Sequence, residues 1–270
     1  MAGHIIAFEG LDQSGKQTQA ELLRDRLREN GHKSRLVSFP DYATSIGEEL
    51  ARALAGEREY GADVMQLLYI ANRYERKEDL QRWLDGGLIL VSDRYTASSI
   101  AYGEAFGLDA QWLIDMQKFL PAPELTIFLD IHPETAVQRK SAGRDRYERD
   151  LAMQTRVRES YSRQASAQGW VVLDGERPKD VVAADVFNAV TSRLSLPYRR
   201  EPHARQALST PARTPAGSLP SYSRRPRAPQ LSRPHGDAAT TSARARTQRS
   251  RCAGVRQPTA RSGLGSHARV

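Results

Sequence analysis

Apolar residues in the first 195 positions occur in short, nearly continuous runs that are separated by longer amphipathic stretches. Continuous runs are typical of strands buried on both faces, whereas strict alternation is typical of strands with one exposed face. We therefore predict one strand at each of five runs, which are Ile5–Phe8, Arg35–Phe39, Leu88–Val91, Leu125–Leu129 and Trp170–Leu173.

Helical patterns lie between these runs, near residues 16–30, 44–55, 63–84, 95–106, 109–119, 133–141, 149–168 and 179–194. Strands that alternate with helices form a parallel sheet with right-handed crossovers. The pattern predicts an α/β fold in which helices cover both faces of a five-stranded parallel sheet.

The alternation stops near Leu196, where the composition of the chain changes. Residues 197–270 contain nine of the 14 prolines and no run that could form a core strand. Such a segment cannot bury enough apolar surface to offset the entropy lost on ordering it. We predict a folded domain over residues 1–196 and a disordered, low-complexity tail over residues 197–270.

The positive charge of the chain is concentrated in this tail. The whole sequence has a formal net charge of +8, but residues 199–270 hold 15 Arg, no Lys and two acidic residues, a net +13. Residues 1–198 are therefore net negative, at −5. A basic isoelectric point indicates nucleic-acid binding only for the part that carries the charge, so we expect any such contact through the tail alone.

Other features of the sequence favour a cytoplasmic location. Cys252 is the only cysteine, so no disulfide can form within one chain, which suits a reducing compartment. No apolar run approaches the ~18 residues of a membrane span. The segment Met1–Glu9 is too short and too polar for a signal peptide, and we expect no membrane partner.

A glycine-rich segment joins the first predicted strand to the first predicted helix. Inward-facing backbone amides, a lysine and the dipole of a helix N-terminus together fit a polyphosphate. We predict that a polyphosphate binds to Gly10, Leu11, Asp12, Gln13, Ser14, Gly15, Lys16, Gln17 and Thr18.

The usual magnesium contact of such a loop is missing. Gln17 stands where a Ser or Thr hydroxyl would reach Mg²⁺, so we expect the metal to be held by nucleotide oxygens, water and another carboxylate. Asp93 ends the third predicted strand, where ligands of parallel sheets bind, and is our candidate for a contact through water. Arg94 follows at the predicted start of a helix, where its charge opposes the helix dipole but suits an anion.

Four segments together resemble the thymidylate kinase family: Phe8-Glu-Gly-x-Asp12, Phe39-Pro40, Ala71-Asn72-Arg73 and Asp93-Arg94-Tyr95. The resemblance covers residues 4–194. It implies a three-layer P-loop fold of the nucleoside-monophosphate-kinase type and a homodimer. It also implies phosphorylation of dTMP to dTDP, with ATP and Mg²⁺, in dTTP biosynthesis.

The resemblance assigns roles in the acceptor site. Tyr69 and Arg73 lie four apart on one helix face, where the family has an aromatic ring against thymine and an arginine beside the base and phosphate. Core packing is an equally good interpretation of Tyr69. Asp12 is similar to the acid that contacts the sugar 3′-hydroxyl, and Tyr102 to a tyrosine whose bulk disfavours a 2′-hydroxyl. The implied dTMP contacts are Asp12, Phe39, Pro40, Tyr42, Tyr69, Arg73, Arg94, Ser99 and Tyr102.

Residues 139–149 correspond to the mobile lid of the family. Some members carry an arginine in the phosphate loop where this chain has Gln13, so charge that develops on the leaving oxygen must be balanced from elsewhere. The stretch resembles the arginine-bearing lid of the bacterial type, with Arg139 and Arg149 interpreted as solvated charges. The predicted catalytic residues are Lys16, Asp12, Arg94, Arg144 and Arg146.

Two other functions fit parts of the chain. A deoxynucleoside kinase would share the phosphate loop, but its hydroxyl acceptor needs a base, whereas Arg73, Arg94 and the basic lid favour an acceptor that already carries phosphate. A nucleic-acid-binding factor would use the arginines of the tail. A tail rich in Arg and free of Lys is also what a shifted reading frame in GC-rich DNA produces.

Overall fold

The five predicted strands are confirmed within two residues at either end. The computed structural model describes residues 3–139 and 150–197. Its strands are β1 His4–Glu9, β2 Ser34–Ser38, β3 Ile89–Asp93, β4 Leu125–Asp130 and β5 Val171–Asp174. Its helices are α1 Lys16–Glu29, α2 Ser45–Leu54, α3 Ala62–Glu75, α4 Lys77–Asp85, α5 Thr96–Ala105, α6 Ala110–Gln117, α7 Pro133–Arg139, α8 Leu151–Gln168 and α9 Lys179–Arg193.

The strands form one parallel sheet in the order β2-β3-β1-β4-β5. Successive residues of the central strand β1 face opposite layers. Phe8 packs in a core cluster with residues of α1 and α9. On the other face, Ala7 packs with Leu80 of α4, and Phe128 of β4 packs with Tyr161 of α8. The predicted three-layer α/β fold is therefore confirmed.

The carboxyl ends of β1 and β3 meet at one edge of this sheet. Phe8 is paired with Asp93, and the Arg94 amide donates to the Phe8 backbone oxygen over 2.9 Å. The loop after β1 and the residues after β3 are thus held side by side, which positions the candidate site.

The helix predicted over residues 63–84 is divided in two. α3 ends at Glu75 and α4 begins at Lys77. The division follows from packing, because α3 contacts α2 and α5 whereas α4 contacts β3. The Arg76 side chain at the junction pairs with Asp41 and Asp79.

The end of the described chain packs on the domain core. Leu194 and Leu196 contact the cluster between the sheet and helices α1 and α9. The lid arginines Arg144 and Arg146, and the tail beyond Pro197, lie outside the described residues. Within the described part, no helix has the length and apolar character needed to span a membrane.

Candidate active site

The phosphate loop has backbone angles that glycine alone tolerates well. Gly10 has φ 144°, and a Cβ there would come within 2.5 Å of the Leu129 backbone oxygen. Gly15 has φ 92° and precedes α1, which has no side-chain cap and no acid in its first turn. The first amides of α1 are therefore available to an anion.

Lys16 lies in the floor of this loop. It is 5% exposed, and its Nζ donates to the Leu11 backbone oxygen over 2.7 Å. Burial and the nearby charge of Arg94 lower the pKa of Lys16 to about 8, although Asp12 partly offsets this. The ammonium is thus already largely desolvated where a phosphate would bind.

Two side chains of the predicted loop face solvent. Gln17 donates to Glu21 over 3.1 Å, and Thr18 is also exposed. Their side chains do not point toward the loop floor, so a contact with ATP would use their backbone amides. Gln13 adopts a left-handed conformation with φ 65°.

Arg94 does not begin a helix, contrary to the prediction. Its φ is 61°, and α5 begins at Thr96, because the chain makes a tight turn after β3. This turn directs the guanidinium back across the loop, where Nη1 donates to the Gly10 backbone oxygen over 3.2 Å. Asp93 Oδ1 is buried and has no hydrogen-bond partner within the described residues.

A cavity opens next to the loop and collects all nine residues predicted to contact dTMP. Its lining also includes four residues that the sequence reasoning missed. The lining residues are Asp12, Phe39, Pro40, Tyr42, Leu54, Gln66, Tyr69, Arg73, Arg94, Ser98, Ser99, Tyr102 and Phe106.

Asp12, Arg94 and Tyr102 form a closed hydrogen-bonded group at the loop side of this cavity. Arg94 Nη2 donates to Asp12 Oδ1 over 2.5 Å and to the Tyr102 hydroxyl over 3.3 Å. The Tyr102 hydroxyl donates to Asp12 Oδ2 over 3.0 Å. Burial alone would raise the pKa of Asp12, but Arg94 and Lys16 outweigh it and lower that pKa, so the carboxylate stays ionised.

Arg73 also lines the cavity and is 2% exposed. Its Nη1 donates to Ser99 Oγ over 2.8 Å and to the Tyr69 backbone oxygen over 3.2 Å. Burial lowers the pKa of Arg73 to about 10. Its Nε is buried without a hydrogen-bond partner in the described structure.

The remaining predicted residues differ in exposure. Phe39 is buried against the Tyr95 ring at 5.7 Å between centroids. Tyr69 combines both interpretations, because it lines the cavity and also packs on the cluster of α2. Tyr42 is 49% exposed, so it lies at the cavity mouth.

Several functional candidates escaped the sequence reasoning. Glu9 appears in the Phe8-Glu-Gly segment but received no role, and it is fully buried beside Ser98 and Tyr161. Only its place at the carboxyl end of β1 could have indicated it. Arg139 was interpreted as a solvated charge; it is exposed, but its guanidinium is anchored to the backbone at Gln13 and Gly175.

Comparison with known proteins identifies the family. The family profile described as thymidylate kinase matches residues 8–186. The chain belongs to the thymidylate kinase family. It is a nucleoside monophosphate kinase that phosphorylates dTMP to dTDP with ATP as phosphate donor.

Individual relatives agree over the same span. The thymidylate kinase of Schizosaccharomyces pombe is 38% identical over 195 residues, which cover 70% of this chain and 92% of that protein. Human thymidylate kinase is 32% identical over 189 residues, which cover 68% of this chain and 88% of that protein. A solved thymidylate kinase structure from Candida albicans has a TM-score of 0.64 and 30% identity, and covers 72% of this chain and 93% of its own.

Proposed function

We propose that this thymidylate kinase binds ATP on the loop that contains Lys16 and dTMP in the adjoining cavity, with Arg94 between them. The observation that carries the proposal is that one guanidinium contacts the loop at Gly10 and also Tyr102, which lines the cavity. A cation in that position offsets the repulsion between the two phosphates and the charge that develops during transfer.

Different residues of the cavity then contact different parts of dTMP. Asp12, held ionised, accepts a hydrogen bond from the sugar 3′-hydroxyl, and Tyr102 fills the space of a 2′-hydroxyl. Tyr69 packs on thymine, and the Arg73 guanidinium, which lines the same cavity, lies beside the base. The acceptor phosphate oxygen is already an anion at neutral pH, so alignment for in-line attack replaces a general base.

Mg²⁺ is the metal that we propose for this reaction. The buried, unpartnered Oδ1 of Asp93 fits a contact to a metal-bound water, and Ser14 Oγ is similarly unpartnered in the described structure. Since the described residues contain no cluster of three His, Cys, Asp or Glu side chains, most ligands would come from nucleotide and water. The metal supplies positive charge to the phosphates.

Arg144 and Arg146 of the lid, by resemblance to the bacterial type, complete the positive charge around ATP.

The assignment of Arg94 is tested by Arg94→Lys, which keeps the charge but loses the forked contacts. We expect a fall of about 100-fold or more in the single-turnover rate at saturating ATP and dTMP. Arg82→Lys on the exposed face of α4 is the control, since Arg82 is 70% exposed. A wild-type rate in Arg94→Lys would contradict the assignment.

We also propose a homodimer that uses the apolar side chains exposed on α3 and α6. Val64, Leu67, Ile114 and Met116 are each between 37% and 44% exposed, and Phe119 beyond α6 is 65% exposed. Exposed apolar patches of this kind mark protein interfaces. Light scattering should give twice the chain mass, and Leu67→Glu with Ile114→Glu should give a monomer.

We propose that the enzyme is cytoplasmic, because its nucleotide substrates are found there.

We also propose that the tail, residues 197–270, can be removed without loss of the folded domain. Truncation after Leu196 keeps the leucines that pack on the core, so it should leave kinase activity and melting temperature nearly unchanged. If the full chain binds nucleic acid, that binding should vanish on truncation and weaken steeply with salt. Peptides beyond Leu196 in mass spectra of the native protein would show that the tail is made.

A further inference from the structure

A fully buried carboxylate lies behind Arg94. Glu9 is 0% exposed and accepts three hydrogen bonds. Its Oε1 accepts from the Tyr95 amide over 2.9 Å, and its Oε2 accepts from Ser98 Oγ over 2.6 Å and from the Tyr161 hydroxyl over 3.1 Å. The same two hydroxyls accept from Arg94 Nη1, each over 3.2 Å.

The direction of these hydrogen bonds follows from chemistry. An ionised carboxylate only accepts, and a guanidinium only donates. A guanidinium cannot accept, so neither hydroxyl donates to Arg94 and both present lone pairs to it. Because Ser98 Oγ and the Tyr161 hydroxyl also lie 2.9 Å apart, at least one of them donates to Glu9, and the other donates to Glu9 or to its neighbour. These hydrogen bonds all run from Arg94 toward Glu9, and their direction cannot be reversed while Glu9 is a carboxylate. The hydrogen-bond network therefore holds Arg94 in one place.

We propose that Glu9 is a positioning residue, which through Ser98 and Tyr161 fixes the guanidinium of Arg94 for phosphoryl transfer. The inference rests on the role proposed for Arg94. Tyr161 belongs to α8, which begins at Leu151, shortly after residues 139–149 of the lid segment in the sequence. The same hydrogen bonds therefore connect α8 to Arg94. Glu9 itself does not touch the substrates.

The decisive variant is Glu9→Gln. An amide has the shape of the carboxylate but places a donor where the hydroxyls now donate, so the polarity of the chain is disturbed. We expect the single-turnover rate to fall about 10- to 100-fold, as is typical of misplaced catalytic groups, while KM for ATP changes less than about twofold. Tyr161→Phe should lower the single-turnover rate about fivefold. This variant keeps the ring that stacks on Phe128, with 5.5 Å between the ring centroids.

A purely structural role is separated by a double-mutant cycle with Arg94→Ala. If Glu9 acts through Arg94, Glu9→Gln should have less than about a threefold effect once the guanidinium is gone. Glu104→Gln and Tyr60→Phe are matched controls, because Glu104 accepts from Ser160 and the Tyr60 hydroxyl donates to Glu49 away from the cavity. Both should react at the wild-type rate.

The outcomes are distinct. Equal fold-losses from Glu9→Gln in the wild-type and Arg94→Ala backgrounds would overturn the inference, as would wild-type rates in both Glu9→Gln and Tyr161→Phe. If Glu9→Gln does not fold, a double-mutant cycle of Tyr161→Phe with Arg94→Ala replaces it. Equal fold-losses from Tyr161→Phe in the two backgrounds would then overturn the inference. A wild-type rate in Arg94→Ala alone would instead refute the role of Arg94 on which the inference rests.

Discussion

Arg139, the last residue of α7, donates a hydrogen bond to the backbone oxygen of Gln13 over 3.1 Å. A second bond joins it to the Gly175 backbone oxygen over 2.9 Å. Some family members have an arginine in the phosphate loop where this chain has Gln13. Here the guanidinium of Arg139, which lies outside the loop, contacts the loop backbone instead. This contact ties the loop to the segment that enters the lid.

We predict that Arg139→Ala weakens the use of ATP. Loss of two hydrogen bonds from a charged donor, together with its positive charge, should lower kcat/KM for ATP about tenfold. KM for dTMP should stay within about twofold, because the acceptor cavity is on the other side of the loop. Arg163→Ala is the control, since Arg163 is 60% exposed and pairs with Glu104. Equal kinetics in the two variants would make Arg139 a solvated charge after all.

The lid arginines are predicted to act on the rate of transfer rather than on acceptor binding. Arg144→Ala or Arg146→Ala should lower kcat by ~10³-fold, as is typical when a transition-state arginine is removed. Calorimetry should find the Kd for dTMP almost unchanged. Wild-type single-turnover rates in both variants and in the double variant would leave Lys16, Arg94 and the metal as the source of catalytic charge.

The depressed pKa of Lys16 predicts a pH dependence in the free enzyme. With a pKa of about 8, the lysine is charged below pH 8 and loses its proton above it. A plot of kcat/KM for ATP should therefore be flat below pH 8 and fall about tenfold per unit above it. The pKa of Arg73, about 10, lies outside this window. Lys16→Arg should be slower, but its profile should be flat to about pH 9; a similar fall in that variant would assign the titration to another group.

Tyr102 is predicted to exclude ribonucleotides by its bulk. Tyr102→Phe keeps the ring but removes the hydroxyl that donates to Asp12 over 3.0 Å, so selectivity should survive with a modest loss of rate. Tyr102→Ala should raise kcat/KM for the ribonucleotide relative to dTMP by about tenfold or more. An unchanged ratio in Tyr102→Ala would mean that another side chain fills the space of the 2′-hydroxyl.

Much of this site could be predicted because its residues directly follow buried strands. Apolar runs located β1 and β3, and the residues at their carboxyl ends had to meet, which brought Asp12 and Arg94 together. The helix spacing of Tyr69 and Arg73 placed both on one face. These inferences depend on chain neighbours and periodicity, and both are visible in a sequence.

Other parts of the site could not be predicted, because they depend on contacts between distant segments. Tyr161 lies 152 residues from Glu9 in the chain, yet their side chains are joined by a hydrogen bond. Arg139 is 126 residues from Gln13, and its charged neighbours gave no reason to single it out. The left-handed turn at Arg94 was also missed, because a non-glycine residue rarely adopts positive φ without tertiary support.

The unused N–H of Arg73 sets a condition on inhibitors of this enzyme. The guanidinium is already out of water before any ligand arrives, and its Nε has no acceptor within the described structure. A compound that fills the cavity with carbon alone would give this buried cation no additional acceptor. Compounds that place a carbonyl, a sulfonyl or a ring nitrogen at this point should therefore be preferred in screening over isosteres that lack one.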